Sequence, residues 1–184
     1  MEFEFFILDW IQTHLRHPIL DPFIVFITTL GNAGILWIGL TILLAVRKST
    51  RKTAAALAVA LGLCLLCGNL LLKPLIGRIR PFNVQDAITL LIAAPLDYSF
   101  PSGHTMSSFA AAMVLLLTDR RMGIPAMLLA GLIAFSRMYL YVHYPTDVLA
   151  GLLMGCLFGW LAVRIVQKLH ARRFQRNQQE KPHS

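Results

Sequence analysis

The stretch TAAALAVALGLCLLCGNLLLK, residues 53–73, decides the fold of this chain. It is rich in Ala and Leu and contains no charged residue before Lys73. At about 1.5 Å per residue, a helix over this stretch would cover about 31 Å, which is close to the thickness of the hydrocarbon core of a bilayer. The sequence therefore predicts a transmembrane helix here.

Apolar runs of the same kind recur along the chain. Four more runs qualify or nearly qualify as membrane spans, at 32–46, 103–118, 122–142 and 145–168. The 184 residues are 57% hydrophobic and only 14% charged, which is too apolar for a soluble domain. We therefore expect an all-α, polytopic membrane helix bundle that forms a single domain over residues 1–184.

The first thirty residues fit the pattern less well. Pro18 and Pro22 suit the beginning of a helix better than its middle. The apolar segment 19–30 is too short to cross a bilayer by itself. Residues 1–30 are thus either a broken first span or an interfacial hairpin, and the sequence leaves both interpretations open.

The distribution of basic residues predicts the orientation. Basic loops remain cytoplasmic, and two links and the C-terminal end fall on one side if the spans alternate. The tail 170–184 is therefore predicted to be cytoplasmic. The net charge of +8 is explained by this topology and by contact with anionic lipid, without a nucleic-acid partner. The residues assigned to this side are Arg47, Lys48, Arg51, Lys52, Arg120, Arg121, Arg164, Lys168, Arg172, Arg173, Arg176 and Lys181.

Three polar clusters, far apart in the sequence, fall on the opposite, outer side. They are KPLIGRIRP at 73–81, SFPSGHTMSSF at 99–109 and SRMYLYVHYPTD at 136–147. We expect them to meet at one membrane surface. This convergence is the main prediction from the sequence.

The outer clusters contain cations that need partners. Charged groups near the hydrocarbon edge are costly and are seldom unpaired. Lys73, Arg80 and Arg137 therefore suggest an external anion, and guanidinium groups match phosphate oxygens with paired donors. Arg78 is interpreted as a side chain that snorkels to the membrane surface. The acidic residues available nearby are Asp86, Asp97 and Asp147.

The run at 103–118 is preceded by Ser102 and opens with Gly103 and His104. Serine is a good N-cap because its oxygen satisfies an orphan N–H group. Gly103 removes a side chain that would keep a ligand from the backbone, and the helix dipole favours an anion. A capped helix with an interfacial histidine explains the same residues without a ligand.

His143 and Asp147 are four residues apart, with Pro145 at a predicted helix start between them. A carboxylate bonded to one ring nitrogen leaves the other nitrogen free to attack and stabilises the imidazolium. His104 is better placed as a general acid. The two histidines and Asp147 could instead hold zinc. Adjacent cations would repel a divalent ion, however, so we expect neither a metal nor another cofactor.

The three clusters read K-x6-R-P, P-S-G-H and S-R-x5-H-x3-D in order between residues 73 and 147. This pattern resembles the type 2 phosphatidic acid phosphatase superfamily, which includes lipid phosphate phosphatases and vanadium haloperoxidases. The resemblance implies about six transmembrane helices with a broken first one, both termini inside, and a haloperoxidase-like four-helix core.

The resemblance also implies roles for individual residues. His143 would be the nucleophile and carry a phosphohistidine, Asp147 would orient it, and His104 would protonate the leaving group and then activate water. No metal would be needed. The implied phosphate ligands are Lys73, Arg80, Ser102, the backbone N–H of Gly103, and Arg137.

A site at the outer surface of a bundle suits a lipid whose phosphate lies in the headgroup layer. The chain looks like the small bacterial membrane members of this superfamily. This resemblance and the outward orientation favour undecaprenyl pyrophosphate as the substrate, at a bacterial plasma membrane with the site facing the periplasm or cell exterior. Phosphatidylglycerophosphate and phosphatidate are alternative substrates. A lipid or anion transporter is an alternative of another class, although the chain shows no internal repeat. The oligomeric state is not indicated.

Overall fold

The computed structural model describes residues 2–85 and 88–179, and no β-strand occurs among them. The prediction of an all-α chain is confirmed. Asp86 and Lys181 lie outside the described residues. The α-helices are α1 (Glu2–His14), α2 (Leu20–Leu30), α3 (Ile35–Val46), α4 (Arg51–Leu63), α5 (Lys73–Ile76), α6 (Gly103–Thr118), α7 (Arg120–Tyr139) and α8 (Pro145–Gln179).

The run 53–73, which was predicted to be a transmembrane helix, is helical throughout but is not a uniform α-helix. After α4 the chain continues as a π-helix, Cys64–Leu72, which leads directly into α5. A π-helix has wider turns than an α-helix and is frequent at functional sites. Lys73, which follows it, is buried rather than turned to the surface.

Three helical segments are long and apolar enough to cross a membrane, namely Arg51–Asn83, Arg120–Tyr139 and Pro145–Arg173. Leu20–Leu30 and Asn32–Val46 pass the same test only as a pair, bent by 43°. Helix α6 is apolar but shorter. The chain is thus an integral membrane protein, while the expected number of six spans is not confirmed.

Helix α1 packs across one end of the bundle, where α7 ends and α8 begins. Gln12 donates to the carbonyl of Tyr139 (2.7 Å), and the Tyr141 hydroxyl donates to Asp9 (2.6 Å). Its aromatic side chains Phe3 and Phe6 are exposed on the other face. Residues 1–30 therefore combine both interpretations, because α2 belongs to the bent pair and α1 packs separately.

The opposite end of the bundle brings the basic clusters together. A cavity of about 610 Å³ there is lined by Lys52, Thr118 and His170, which belong to the start of α4, the end of α6 and the end of α8. The link at 47–52 and the tail of α8 therefore share one end of the molecule, as the sequence predicts.

Helix α6 is the centre of the bundle, and α8 packs against it through small residues. An ideal Cβ on Gly155 or Gly159 would lie 2.4 or 2.5 Å from a carbonyl oxygen of α6, and one on Gly151 would lie 2.7 Å from the carbonyl of Ser102 at the N-cap of α6. The two backbones are therefore in direct contact. In a membrane, where lipid is as apolar as leucine, such close approach is a main source of helix association.

We expect Gly155→Ala to destabilise the bundle, because the added methyl group meets the Met106 carbonyl at 2.4 Å and must push the helices apart. Overpacking of this kind costs about 1–3 kcal/mol. The measurement is the thermal unfolding midpoint in detergent. Gly131→Ala is the control, since its Cβ would meet nothing within 4 Å and alanine is the better helix former. Equal midpoints for the two variants would contradict the packing argument.

Candidate active site

A cavity of about 290 Å³ lies where α6 and α8 begin and α7 ends. All three polar clusters contribute to its wall, so the convergence predicted from the sequence is present. Asp147 and Ser102 are fully buried behind the wall and do not line the cavity. The predicted residues that line it are Lys73, Arg80, Gly103, His104, Arg137 and His143.

His143 is held between the cavity and the protein interior. Its Nε2 lies 3.2 Å from Nη1 of Arg80, and its Nδ1 lies 3.6 Å from Asp147 and 3.5 Å from Ser99. Burial lowers the pKa of His143 to about 3, even though Asp147 acts in the opposite direction. The ring is therefore neutral at neutral pH. Since arginine can only donate, Nε2 carries the lone pair and Nδ1 carries the proton.

Asp147 is anchored by more groups than the sequence suggested. Its Oδ2 accepts hydrogen bonds from Ser99 (2.5 Å) and from the backbone N–H of Tyr144 (2.9 Å). Its Oδ1 accepts one from Arg78 (2.5 Å). The distance to His143 exceeds a normal hydrogen bond, and apo sites often tighten only with substrate bound. The interpretation of Arg78 as a snorkelling residue is wrong, because its guanidinium turns inward to this carboxylate.

Two of the cations share one carboxylate in the free protein. Asp97 accepts a hydrogen bond from Lys73 and another from Nη2 of Arg80 (2.5 Å). Partial burial would raise the pKa of Asp97, but Lys73 and Arg80 lower it to about 2. The side chain of Asp97 is therefore anionic and remains 54% exposed. Its negative charge therefore lies beside Lys73 and Arg80 at the wall of the cavity.

Arg137 has no such partner among the residues that the structure describes. It is 2% exposed, its Nη1 donates to the hydroxyl of Thr28 (2.5 Å), and its Nε has no hydrogen-bond partner among the described residues. Burying an uncompensated charge costs several kcal/mol. Arg137 is thus the cation of the cavity that most needs an external anion.

His104 faces a residue that sequence reasoning missed. Its Nε2 lies 2.8 Å from Oδ1 of Asn32, in the 3-10 turn that connects α2 to α3. The neighbouring Gly31 leaves room for the ring, since a Cβ there would lie 2.8 Å from Cδ2 of His104. The turn between α2 and α3 therefore orients His104.

The predicted side-chain cap of Ser102 needs correction. Ser102 occupies the N-cap position of α6, but its side chain makes no cap hydrogen bond, because its Oγ pairs with the hydroxyl of Thr105 (2.9 Å). A Cβ on Gly103 would lie 2.9 Å from Oδ1 of Asn69. The absence of a side chain at Gly103 therefore also leaves room for Asn69 of the π-helix.

Comparison with known proteins accounts for this arrangement. Residues 51–171 match the family described as the PAP2 superfamily. The chain belongs to the PAP2 superfamily. An undecaprenyl-diphosphatase of Sulfolobus acidocaldarius is 37% identical over 147 residues, which cover 79% of this chain and 70% of its own.

Solved structures agree with the PAP2 assignment. LpxE of Aquifex aeolicus superposes with a TM-score of 0.77 at 30% identity and covers 88% of this chain and 95% of its own. A PAP2-type phosphatidylglycerolphosphate phosphatase of Bacillus subtilis has a TM-score of 0.69 at 28% identity and covers 84% and 80%. A bacterial vanadium-dependent iodoperoxidase, at 22% identity and a TM-score of 0.57, covers 70% and 38% and shares the fold. This chain is therefore a PAP2 membrane phosphatase with a haloperoxidase-like fold.

We expect Arg137→Lys to weaken the binding of orthovanadate or inorganic phosphate about 10- to 100-fold, because a lost charge-assisted hydrogen bond is worth about 1.5–3 kcal/mol. The measurement is a binding isotherm with purified protein in detergent. Arg121→Lys is the matched control, since Arg121 is exposed at the other end of α7. Equal affinities in both variants would exclude Arg137 from the anion site.

Proposed function

We propose that this PAP2 protein hydrolyses a lipid phosphate or diphosphate through a phosphohistidine intermediate, without a metal. Undecaprenyl diphosphate, which would yield undecaprenyl phosphate and inorganic phosphate, is the proposed main substrate. One observation carries the proposal. The cavity that holds the two histidines and three cations shares wall residues with an apolar groove.

The groove has a volume of about 480 Å³ and lies between α3 and α4. It shares Lys73 and His104 with the cavity, and its outer wall includes Ile38, Leu61 and Leu65. Ile38 and Leu65 are about half exposed on the apolar surface of the bundle. A phosphate in the cavity would therefore leave its hydrocarbon chain in the groove, in contact with lipid.

In the first step, Nε2 of His143 attacks the terminal phosphorus atom. The new P–N bond forms as the bond to the bridging oxygen breaks, and protonated His104 donates its proton to that oxygen. The hydrogen bond from Arg80 to Nε2 passes to a phosphate oxygen, which frees the lone pair. Asp147 stabilises the positive charge that develops on the ring.

In the second step, His104, now neutral, takes a proton from water. The oxygen attacks phosphorus, the P–N bond breaks, and its electron pair returns to Nε2. Asn32 accepts from Nε2 of His104, so Nδ1 is the nitrogen that exchanges the proton. The phosphate oxygens are held by Lys73, Arg80 and Arg137 and by the N–H of Gly103 at the helix start. Ser102 was predicted as a further phosphate ligand, but it is buried behind the wall of the cavity.

The proposed topology places the site at the outer face of the bacterial plasma membrane and the basic end in the cytoplasm. Counting the bent pair α2–α3 once and including α6 gives five crossings. Helix α1 then lies on the outer surface, because it packs at the end of the bundle that carries the site. The N-terminus is thus outside and the C-terminus inside, whereas the resemblance implied that both termini are inside.

Phosphatidylglycerophosphate is the second candidate substrate, because a structural neighbour at 28% identity is named as a phosphatase for that lipid. The cavity binds the phosphate that both lipids share, and the groove accepts either hydrocarbon. The two candidates are therefore separated by experiment rather than by the charge of the cavity.

The test is phosphate release from a panel of lipid phosphates by purified protein with excess chelator. We expect the highest kcat/KM with undecaprenyl diphosphate and no effect of the chelator. His143→Ala should lower kcat at least ~1,000-fold, because the nucleophile is lost. His170→Ala, at the opposite end of the bundle, is the control. Activity that disappears with chelator, or that persists in His143→Ala, would refute the mechanism.

The groove gives a separate prediction. A Cβ on Gly62 would meet nothing within 4 Å, so Gly62→Leu can fill the groove without displacing the helices. We expect kcat/KM for the lipid substrate to fall about 10-fold or more, because the leucine side chain takes the place of part of the lipid chain. The apolar contact that the lipid loses is worth about 2 kcal/mol. Turnover of a short, water-soluble phosphate ester should remain within about twofold.

Gly131→Leu is the control for the groove, since Gly131 lies on α7 and its Cβ is equally unobstructed. A Gly62→Leu protein that turns over lipid and soluble substrates in the unchanged ratio would show that the chain of the lipid lies elsewhere.

A further inference from the structure

We propose that Glu4 and Arg78 are positioning residues that set the charge and orientation of Asp147. With Asp147 they form a charge chain, in which Arg78 lies between the two carboxylates. The inference rests on the proposed function, since Asp147 acts there through His143. It extends the site to the N-terminal helix, which lies outside the matched residues 51–171.

The charge chain is built from short contacts. Nη1 of Arg78 donates to Oδ1 of Asp147 (2.5 Å), and Nη2 donates to Oε2 of Glu4 (2.7 Å). The hydroxyl of Thr146 accepts from Nη1 of Arg78 (2.7 Å) and donates to the other oxygen of Glu4. The guanidinium also stacks over the ring of Tyr144, 3.9 Å from its centre. Each member of the charge chain is therefore held by at least two partners.

Burial distinguishes this cluster from a surface salt bridge. The side chains of Glu4, Arg78 and Asp147 are 11%, 21% and 0% exposed. An exposed pair would contribute little, but charges held away from water interact strongly. Glu4 lies on the inner face of α1, which is anchored nearby by fully buried Leu8. The first turn of α1 thus delivers a carboxylate to the back of the site.

The charges in this cluster determine what Asp147 can do. Arg78 alone would neutralise Asp147 and weaken its support for a positively charged His143. Glu4 shares the guanidinium, so Asp147 keeps more of its negative charge. Its Oδ1 is fixed by Arg78, which leaves Oδ2 toward Ser99 and His143. The charge chain therefore fixes the orientation of the Asp147 carboxylate and lets Asp147 keep its negative charge.

A purely structural role for Glu4 makes a different prediction. If Glu4 only fastened α1 to the bundle, its loss would lower stability and disturb substrate binding together. If it acts through Asp147, its loss should lower kcat, because the transition state carries positive charge on His143. The binding of inorganic vanadate should be unchanged or tighter, because the site becomes more positive.

The experiment compares Glu4→Gln with Glu2→Gln, which makes the same chemical change at an exposed position of α1. We expect Glu4→Gln to lower kcat about threefold to tenfold, because one partly screened charge is lost, with an unchanged KM and unchanged or tighter binding of vanadate. The control should match the wild type. Equal kcat in both variants would overturn the proposal, and so would a raised KM together with a lower unfolding midpoint.

A second pair of variants tests the charge chain even if one substitution perturbs folding. Arg78→Gln removes the shared cation and leaves Glu4 and Asp147 close together without it, so kcat should fall further. Adding Glu4→Gln to that variant removes the repulsion and should restore part of the rate. Additive losses would overturn the proposal. Wild-type protein without phosphatase activity would instead refute the proposed function, and this inference with it.

Discussion

The structure depends on three cations that meet, largely out of water, at one end of a helix bundle. Lys73, Arg80 and Arg137 line a single cavity, and Asp97 is the only carboxylate on its wall in the part of the chain that the structure describes. Desolvated charge is among the most unfavourable features that a membrane protein can contain, so it persists where a function requires it. The excess positive charge also selects the ligand, because a phosphate group can satisfy several guanidinium donors at once.

The packing of small residues determines where the reacting groups lie. Gly151, Gly155 and Gly159 bring α8 into backbone contact with α6, which fixes the start of one helix relative to the start of the other. His104 is the second residue of α6, and His143 lies two residues before the first residue of α8. The same close contact that holds the bundle together in lipid therefore sets the geometry of the two histidines.

The sequence predicts the apolar helices and the lining of the cavity because both depend on local patterns, such as the run at 53–73 and the three motifs. It does not predict Thr28 or Asn32 as partners of Arg137 and His104, because those contacts join positions more than 70 residues apart. The inward turn of Arg78 was missed because its partner Glu4 lies on a helix whose position no motif specifies. The cap at Ser102 was predicted wrongly because a threonine three residues later competes for the same oxygen.

The position of Asp97 explains how such a charged cavity can exist before substrate arrives. Its carboxylate pairs with both Lys73 and Arg80 in the free protein, while Arg137 has no acidic partner among the described residues. In the proposed mechanism, an incoming phosphate pairs with Arg137 and then exchanges with Asp97 for the other two cations. Because Asp97 is on an irregular loop and is half exposed, it can turn toward water when it is displaced. One anion replaces another, so Lys73 and Arg80 keep a counter-charge during binding.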